Sequence, residues 1–336
     1  MVTVTVEAVM PMPDSEVIKK VVGLACRAPS LHNSQPWQWR FGGGELRLFV
    51  DPNRSMLGDP AGRELLISCG AALDHLRVAM AAAGWQTVVD RFPDPNDPNH
   101  LASIGFTPID HVTEEFRRRA DAILLRRTDR LPFAAPTDWE SLEPTLRNVV
   151  GVIGAGAVHL DVISDDARPQ LVEASRLAES LRLYDSSYHD EIDWWTGSFE
   201  ATEGIPYSSL PSEAESSRVD VERTFPRPHH SERRLEISKD HAAILALSTD
   251  DDSRTAALAT GEALSAVLLE CTMAGLATCP VTHVTEVRAS RQLLATLLER
   301  DAVPQVLVRV GVIPTQEEVP PPTPRRPLDE VLYIDN

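Results

Sequence analysis

Arg27-Ala28-Pro29-Ser30-Leu31-His32-Asn33-Ser34-Gln35-Pro36-Trp37 joins two segments of different hydrophobic period, and its reading decides the fold. Upstream, after Pro13, Asp14 or Ser15 can cap a helix whose apolar positions Val17, Ile18, Val21, Val22, Leu24 and Ala25 keep helical spacing. Pro29 pushes Ala28 toward an extended backbone, so that helix ends near Arg27. Downstream, Trp37, Trp39 and Phe41 alternate, Gly42-Gly43-Gly44 can turn, and Leu46, Leu48 and Val50 alternate again, the pattern of a β-hairpin. The two prolines hold an irregular helix-to-strand loop, leaving backbone N–H groups, a hydroxyl and an amide available to a planar polar ligand.

Further out, a long helix runs from about Glu64 to Ala83 and stops at Gly84. Pro93-Asp94-Pro95-Asn96-Asp97-Pro98 is a rigid polar loop, and Val112 to Leu125 is another helix. The second half echoes the first. Gly70-Ala71-Ala72-Leu73, Ala83-Gly84 and Thr87 recur as Gly261-Glu262-Ala263-Leu264, Ala274-Gly275 and Thr278, at a constant offset of 191 residues. Leu46 to Asp51 and Val158 to Asp165 give a further echo, each an apolar strand running into a polar loop. Two copies of one half-unit packed as a pseudo-dimer follow from this. Val306-Leu307-Val308-Arg309-Val310-Gly311-Val312 reads as an interior strand, and the proline-rich tail Val319 to Pro327 as extended chain. Residues 184–207 hold six of the eighteen aromatics, and Ser/Glu-rich sequence continues to about residue 235. This stretch is either a surface helix pair packing its aromatics inward or a lid over a ligand.

Composition bounds the function. The 336 residues suffice for about two domains. With 43% apolar and 24% charged residues the chain can bury a sizeable core. A net charge of -18 argues against nucleic acid or an anionic membrane as partner. The apolar runs fall short of the roughly 18 residues of a membrane span, and Met1 to Ser15 lacks a signal-peptide pattern. A cytoplasmic location is expected. Cys26, Cys69, Cys271 and Cys279 have no Cys-x-x-Cys spacing and read as buried thiols. His229-His230 has no nearby ligand set, so no metal is expected, and Asp250-Asp251-Asp252 reads as a solvated turn or helix cap. Lysine occurs only at Lys19, Lys20 and Lys239, so isolated arginines carry little information.

Clusters carry more. Arg126-Arg127-Thr128-Asp129-Arg130 puts three arginines and a hydroxyl within five residues, able to hold a phosphate by charge-assisted bonds. Together with the Pro29-Ser30-x-x-Asn33-x-Gln35-Pro36-Trp37 loop, Arg126-x-Thr128-x-Arg130 followed by Phe133 resembles the signature of the FMN-dependent nitroreductase superfamily. Gly275-Leu276-Ala277-Thr278-Cys279-Pro280 is similar to that family's segment leading to the flavin ring, and Pro324-Arg325-Arg326-Pro327-Leu328 resembles its terminal phosphate clamp. Across essentially its whole length the chain resembles the Acg family of nitroreductase-like proteins, associated with stress and dormancy.

The resemblance implies an α+β, nitroreductase-like fold, internally duplicated in a single chain like a fused nitroreductase dimer. The first half would be residues 1–115, carrying the Pro-Ser flavin loop. The second would be 116–336, carrying the phosphate clamp, the candidate lid 184–235 and the C-terminal tail. One FMN per chain is implied, because the motifs together complete a single site, and the fusion implies a monomer. Arg126, Thr128, Arg130 and Arg325 or Arg326 would hold the phosphate. Ser30 and Asn33, with the Ala28, Pro29, Leu31 and His32 backbone, would line the ribityl chain and ring edge. Backbone N–H groups of Thr282 and His283, just past Pro280, would face the reactive flavin nitrogen. His32 and His283 are expected to pack or hydrogen-bond rather than carry protons. The implied activity is NAD(P)H-dependent reduction of nitroaromatic or quinone-like compounds by a ping-pong cycle. The alternative is a flavin-binding or FMN-sequestering protein whose site is covered. No cationic group near the flavin pyrimidine edge is identifiable from sequence.

Overall fold

The computed structural model describes residues 12–197, 202–226, 228, 231–314 and 321–335. Phe199, the His229-His230 pair and Val319-Pro320 of the tail lie outside them. In chain order the strands are β1 (Trp37–Gly42), β2 (Glu45–Val50), β3 (Trp85–Arg91), β4 (His100–Pro108), β5 (Val158–Ile163), β6 (Ala243–Thr249), β7 (Ala277–Val281), β8 (Val303–Gly311) and β9 (Leu332–Ile334). The helices are α1 (Ser15–Ala25), α2 (Arg63–Ala82), α3 (Glu114–Leu125), α4 (Trp139–Ile153), α5 (Arg168–Arg182), α6 (Ser186–Trp195), α7 (Glu213–Ser216), α8 (Arg254–Met273), α9 (His283–Glu286), α10 (Arg288–Ala295) and α11 (Leu328–Val331).

Local chemistry places these elements as the sequence pattern predicts. Asp14 caps α1 by accepting from the Val17 N–H at 2.8 Å. Strands β1 and β2 pair from Trp37 with Val50 to Gly42 with Glu45, and their alternate residues Trp37, Trp39, Leu46 and Leu48 are fully buried. Strand β8 lies between β6 and β7, which suits its continuous apolar run. The four cysteines are free and buried, and burial pushes the Cys26 and Cys271 thiols up to about 12.

The two sheets share a connectivity. One runs β3-β4-β2-β1-β9 and the other β5-β6-β8-β7. In each, two strands, a long helix (α2 or α8) and two more strands follow one another, with the fourth strand inserted between second and third. One expected correspondence is corrected by this order. The strand holding Leu46–Val50 takes the place of β6, whereas Val158–Ile163 takes the place of β1. Residues 164–242 separate β5 from β6, where the first unit has only the Gly43-Gly44 turn, and this insertion misaligned the strands in the sequence comparison. Strand β9 runs parallel to β1, so the tail from the second sheet crosses to the first.

Helices α2 and α8 form the centre. Each has 20 residues. A Cβ on Gly70 would lie 2.0 Å from the Leu258 carbonyl oxygen, and one on Gly261 would lie 2.0 Å from the Ile67 carbonyl oxygen. Gly70 and Gly261 also face each other, a Cβ on Gly70 lying 3.0 Å from the Gly261 Cα, and Ser265 Oγ donates to the Asp74 carboxylate at 2.6 Å, so that two pairs of residues 191 apart meet in register. Both helices are long and apolar enough to cross a membrane, but their apolar windows are 83% and 78% buried within the protein, as core helices are.

The crossing leaves no room for a methyl group at Gly70, while Gly151 in α4 has nothing within 4 Å of its would-be Cβ. Gly70→Ala is therefore expected to lower unfolding free energy by about 1–3 kcal/mol through overpacking. Gly151→Ala should raise it by about 0.5–1 kcal/mol through helix propensity. Urea unfolding of the two variants checks this, and a stabilised Gly70→Ala would refute the close crossing.

Candidate functional site

The Pro-Ser loop, the start of α2, the segment after α3, the β7–α9 junction and residues 222–225 meet around one elongated cleft in two connected parts. The inner part holds about 860 Å³ of space and the outer about 1250 Å³, each partly open to solvent. Pro29, Ser30, Thr128 and Arg130 line both parts, so the two adjoin.

The Pro-Ser loop is strained and heavily tied. His32, Asn33 and Gln35 have φ of 51°, 59° and 51°, the left-handed region that side chains other than glycine rarely occupy. Compensating bonds hold it. Ser30 Oγ accepts from Gln35 N at 3.0 Å, and Ser68 Oγ of α2 accepts from Leu31 N at 3.1 Å. Asn33 Nδ2 donates to the carbonyls of Gly204 at 3.0 Å and Pro324 at 3.2 Å, and Gln35 Nε2 to that of Thr202 at 2.8 Å. The loop is thus gripped by the insertion on one side and the tail on the other.

The outer part is rich in positive charge. Arg126, at the C-terminal end of α3, is 6% exposed; its Nη2 donates to the Arg27 carbonyl at 3.4 Å, while its Nε and Nη1 have no hydrogen-bond partner among the described residues. Burial, then the nearby Arg27 charge, pulls its pKa down to about 10. Arg325 is held against the end of α1, donating through Nε to the Cys26 carbonyl at 2.8 Å, and burial with Arg126 and Arg27 lowers it to about 9. Among the described residues no carboxylate within ion-pair distance faces Arg27, Arg126 or Arg325. A buried cation without a counter-charge is costly, and an anionic group at this end would supply the missing acceptors. Thr128 pairs as a β-bridge with Thr278, which stitches the arginine motif to β7.

The inner part is more apolar, with Ile67 of α2, Leu264 of α8, Pro280 and Val281 on its walls. Glu64, on the first turn of α2, is paired with Arg63 and reaches this wall, and burial raises its pKa well above the usual carboxylate value. His283 is fully buried, shares a 2.8 Å hydrogen bond through Nε2 with Ser175 Oγ, and is held down to about 3 by burial and then by Arg223. His32 is also depressed, by burial first and Arg223 second. Both histidines are therefore neutral near pH 7.

Placed on this cleft, Pro29, Ser30, Leu31, His32, Thr128, Arg130, Pro280, Thr282 and His283 line the inner part, and Asn33, Arg126 and Arg325 the outer. Ala28 is buried behind the loop, and Arg326 lies outside both linings, its N–H donating to Gln35 Oε1 at 2.9 Å and its side chain facing Glu330. Sequence reasoning missed Glu64, Arg223, Phe225 and Arg309 on the inner wall. A lone arginine inside the apolar run 306–312 was the one available signal for Arg309, which is fully buried and pairs with Asp240 at 2.7 Å. Nothing local marked Arg223 or Phe225. Of the aromatics of 184–207, Tyr188 packs inward, while Tyr184 and Trp194 are exposed.

An α+β protein of two like-connected sheets, with a strained Pro-Ser loop above an arginine-ended cleft, is the class this geometry defines. Residues 159–312 match the model of the nitroreductase family. The chain is 59% identical over 328 residues to a Mycobacterium tuberculosis H37Rv protein named "Putative NAD(P)H nitroreductase acg", covering 96% of this chain and 98% of that protein. A second protein of that organism, Rv3131, carries the same description and is 38% identical over 323 residues, covering 95% and 92% of the two chains. Among solved structures, a nitroreductase with bound FMN from Desulfitobacterium hafniense matches with a TM-score of 0.41 at 13% identity, over 65% of this chain and 98% of the other. The chain belongs to the nitroreductase family, in the branch of its Acg-type relatives.

Two outcomes follow from the site's charges. Arg126→Met removes a buried cation that has no carboxylate beside it among the described residues, so the ligand-free protein should gain roughly 1–3 kcal/mol while inorganic phosphate ceases to raise its melting temperature. A destabilised variant that still responds to phosphate would remove Arg126 from the anion site. His283 is neutral in the fold but takes up a proton once unfolded, so its contribution is full above pH 6.5 and is lost as pH falls toward about 3. His283→Gln should make the fall of stability with acid shallower by up to one proton, about 1.4 kcal/mol per pH unit. Identical slopes in urea titrations would show that the imidazole titrates normally.

Proposed function

We propose that the cleft holds one FMN per chain and that the protein is an NAD(P)H-dependent oxidoreductase acting on nitroaromatic or quinone-like acceptors. The observation that carries this reading is the buried Arg126 guanidinium within the Arg126-x-Thr128-x-Arg130 motif, flanked by Arg27 and Arg325, with two of its three nitrogens unbonded and no carboxylate beside it among the described residues. A terminal phosphate there satisfies the cluster, while Ser30 and Asn33 give polar contacts midway and the apolar inner wall suits a planar ring. Bound FMN supplies the two-electron chemistry that such reductions need. The chain holds the phosphate, orients the ring and keeps water out. Neutral His32 and His283 fit a site that draws its protons from water. The descriptions of the Acg-type relatives support NAD(P)H as the donor.

The common connectivity of the two sheets and the reciprocal α2–α8 contacts support an internally duplicated chain, with halves at 1–115 and 116–336 that act together as a monomer. One observation favours the second reading, a covered flavin site with little turnover. Phe225 enters the inner part, lying 5.2 Å from the Arg130 guanidinium and 6.3 Å edge-on from His32. Glu191 of α6 also accepts from the N–H of Leu57 at 2.6 Å, which fastens the insertion across the loop after β2.

Protein purified with FMN should be yellow with one flavin per chain, and Arg126→Ala should weaken FMN binding by about 10–100-fold. Rapid bleaching by NADPH without oxygen supports the reductase. A protein that bleaches with dithionite but not NADPH supports the covered site. Failure to take up FMN removes both readings.

A further inference from the structure

The long segment between β5 and β6 brings a charge into the cleft. Arg223, 7% exposed, lines the inner part. It donates through Nη1 to Tyr188 Oη at 2.9 Å and through Nη2 to Thr282 Oγ1 at 3.0 Å, and it pairs with Glu286. Glu286 is shared, since Arg182 also reaches it at 2.5 Å. Two guanidinium groups on one buried carboxylate leave a positive charge in excess. Around the same wall, Arg63 offsets Glu64, and Arg309 shares Asp240 with Arg168, while Arg130 and Glu222 complete the charged lining. His283 and His32 register the field of Arg223: after burial, it is the charge that most strongly keeps each of them neutral.

We infer that Arg223 supplies the positive charge against which a flavin ring in the inner cleft is reduced, so that the segment between β5 and β6 sets the flavin's reduction potential. This rests on the FMN reading above. Two-electron reduction adds negative charge to the ring system, and a fixed cation in a desolvated wall favours that form. Arg223 is tied to Thr282, the residue whose backbone the resemblance aims at the flavin's reactive nitrogen, so the charge sits on the ring half of the cleft rather than the phosphate half.

The test uses FMN-loaded wild type, Arg223→Gln, Arg223→Lys and Glu286→Gln, with midpoint potentials from spectroelectrochemical titration and the His283 titration followed by NMR. Arg223→Gln should lower the midpoint, shifting the reduced-to-oxidised ratio at fixed potential by roughly tenfold, and should let the His283 pKa rise. Glu286→Gln should move both quantities the opposite way, and Arg223→Lys should return the midpoint toward wild type. Equal midpoints in all four proteins would overturn the inference, as would shifts of one sign in both glutamine variants, the mark of a packing role. Failure of wild type to bind FMN would instead overturn the reading on which the inference rests.

Discussion

The close crossing of α2 and α8 is the constraint on which the other parts depend. Gly70 and Gly261 let two 20-residue helices meet backbone to backbone, with each glycine facing a carbonyl of the other helix. Contacts this short admit no side chain, so the crossing point and register are set by sterics and the fit of small residues. Each helix then presents its remaining faces to one sheet and to the cleft. Glu64, Ile67 and Ser68 of α2 and Leu264 of α8 stand on the same inner wall, so the site is built on two largely buried helices.

Charge is distributed unevenly over this frame. The chain carries a net -18, and most of its buried arginines are matched by carboxylates: Arg63 by Glu64, Arg223 by Glu286, Arg234 by Asp129, Arg309 by Asp240. The outer cleft breaks that pattern with Arg126 and its neighbours. An acidic protein that keeps a buried cationic pocket repels anions over most of its surface and concentrates its attraction at one place. The exception to the pairing rule therefore marks the site more clearly than the number of arginines does.

Strain and tethering meet at the Pro-Ser loop. Three residues with positive φ persist because amides of Asn33 and Gln35 are bonded to backbone carbonyls of the insertion and the tail. The same bonds connect segments 167 and 291 residues away to the loop that lines both parts of the cleft. Residues of the 164–242 segment, the tail and the loop are consequently bonded to one another, and a change at Thr202 or Gly204 acts on the cleft through the loop as well as through Arg223 and Phe225.

Much of this was legible in the sequence because it is local. Alternation at 37–50, helical spacing after Asp14, the glycine stop after the long helix and the apolar run at 306–312 each follow from a few neighbouring residues, and each became the element it indicated. The 191-residue offset was legible too, because identical glycines were needed at both ends of one contact. The Pro-Ser and arginine motifs carried the family. Tertiary structure decided the rest. It alone showed which arginines have carboxylate partners, that Arg325 lines the cleft while Arg326 does not, that β2 is matched by β6 across a long insertion, and that Glu64, Arg223, Phe225 and Arg309 share one wall. The reason is physical: periodicity and capping are set by residues within a turn or two of each other, whereas pairing and desolvation depend on which distant segments the packed core brings within a few ångströms.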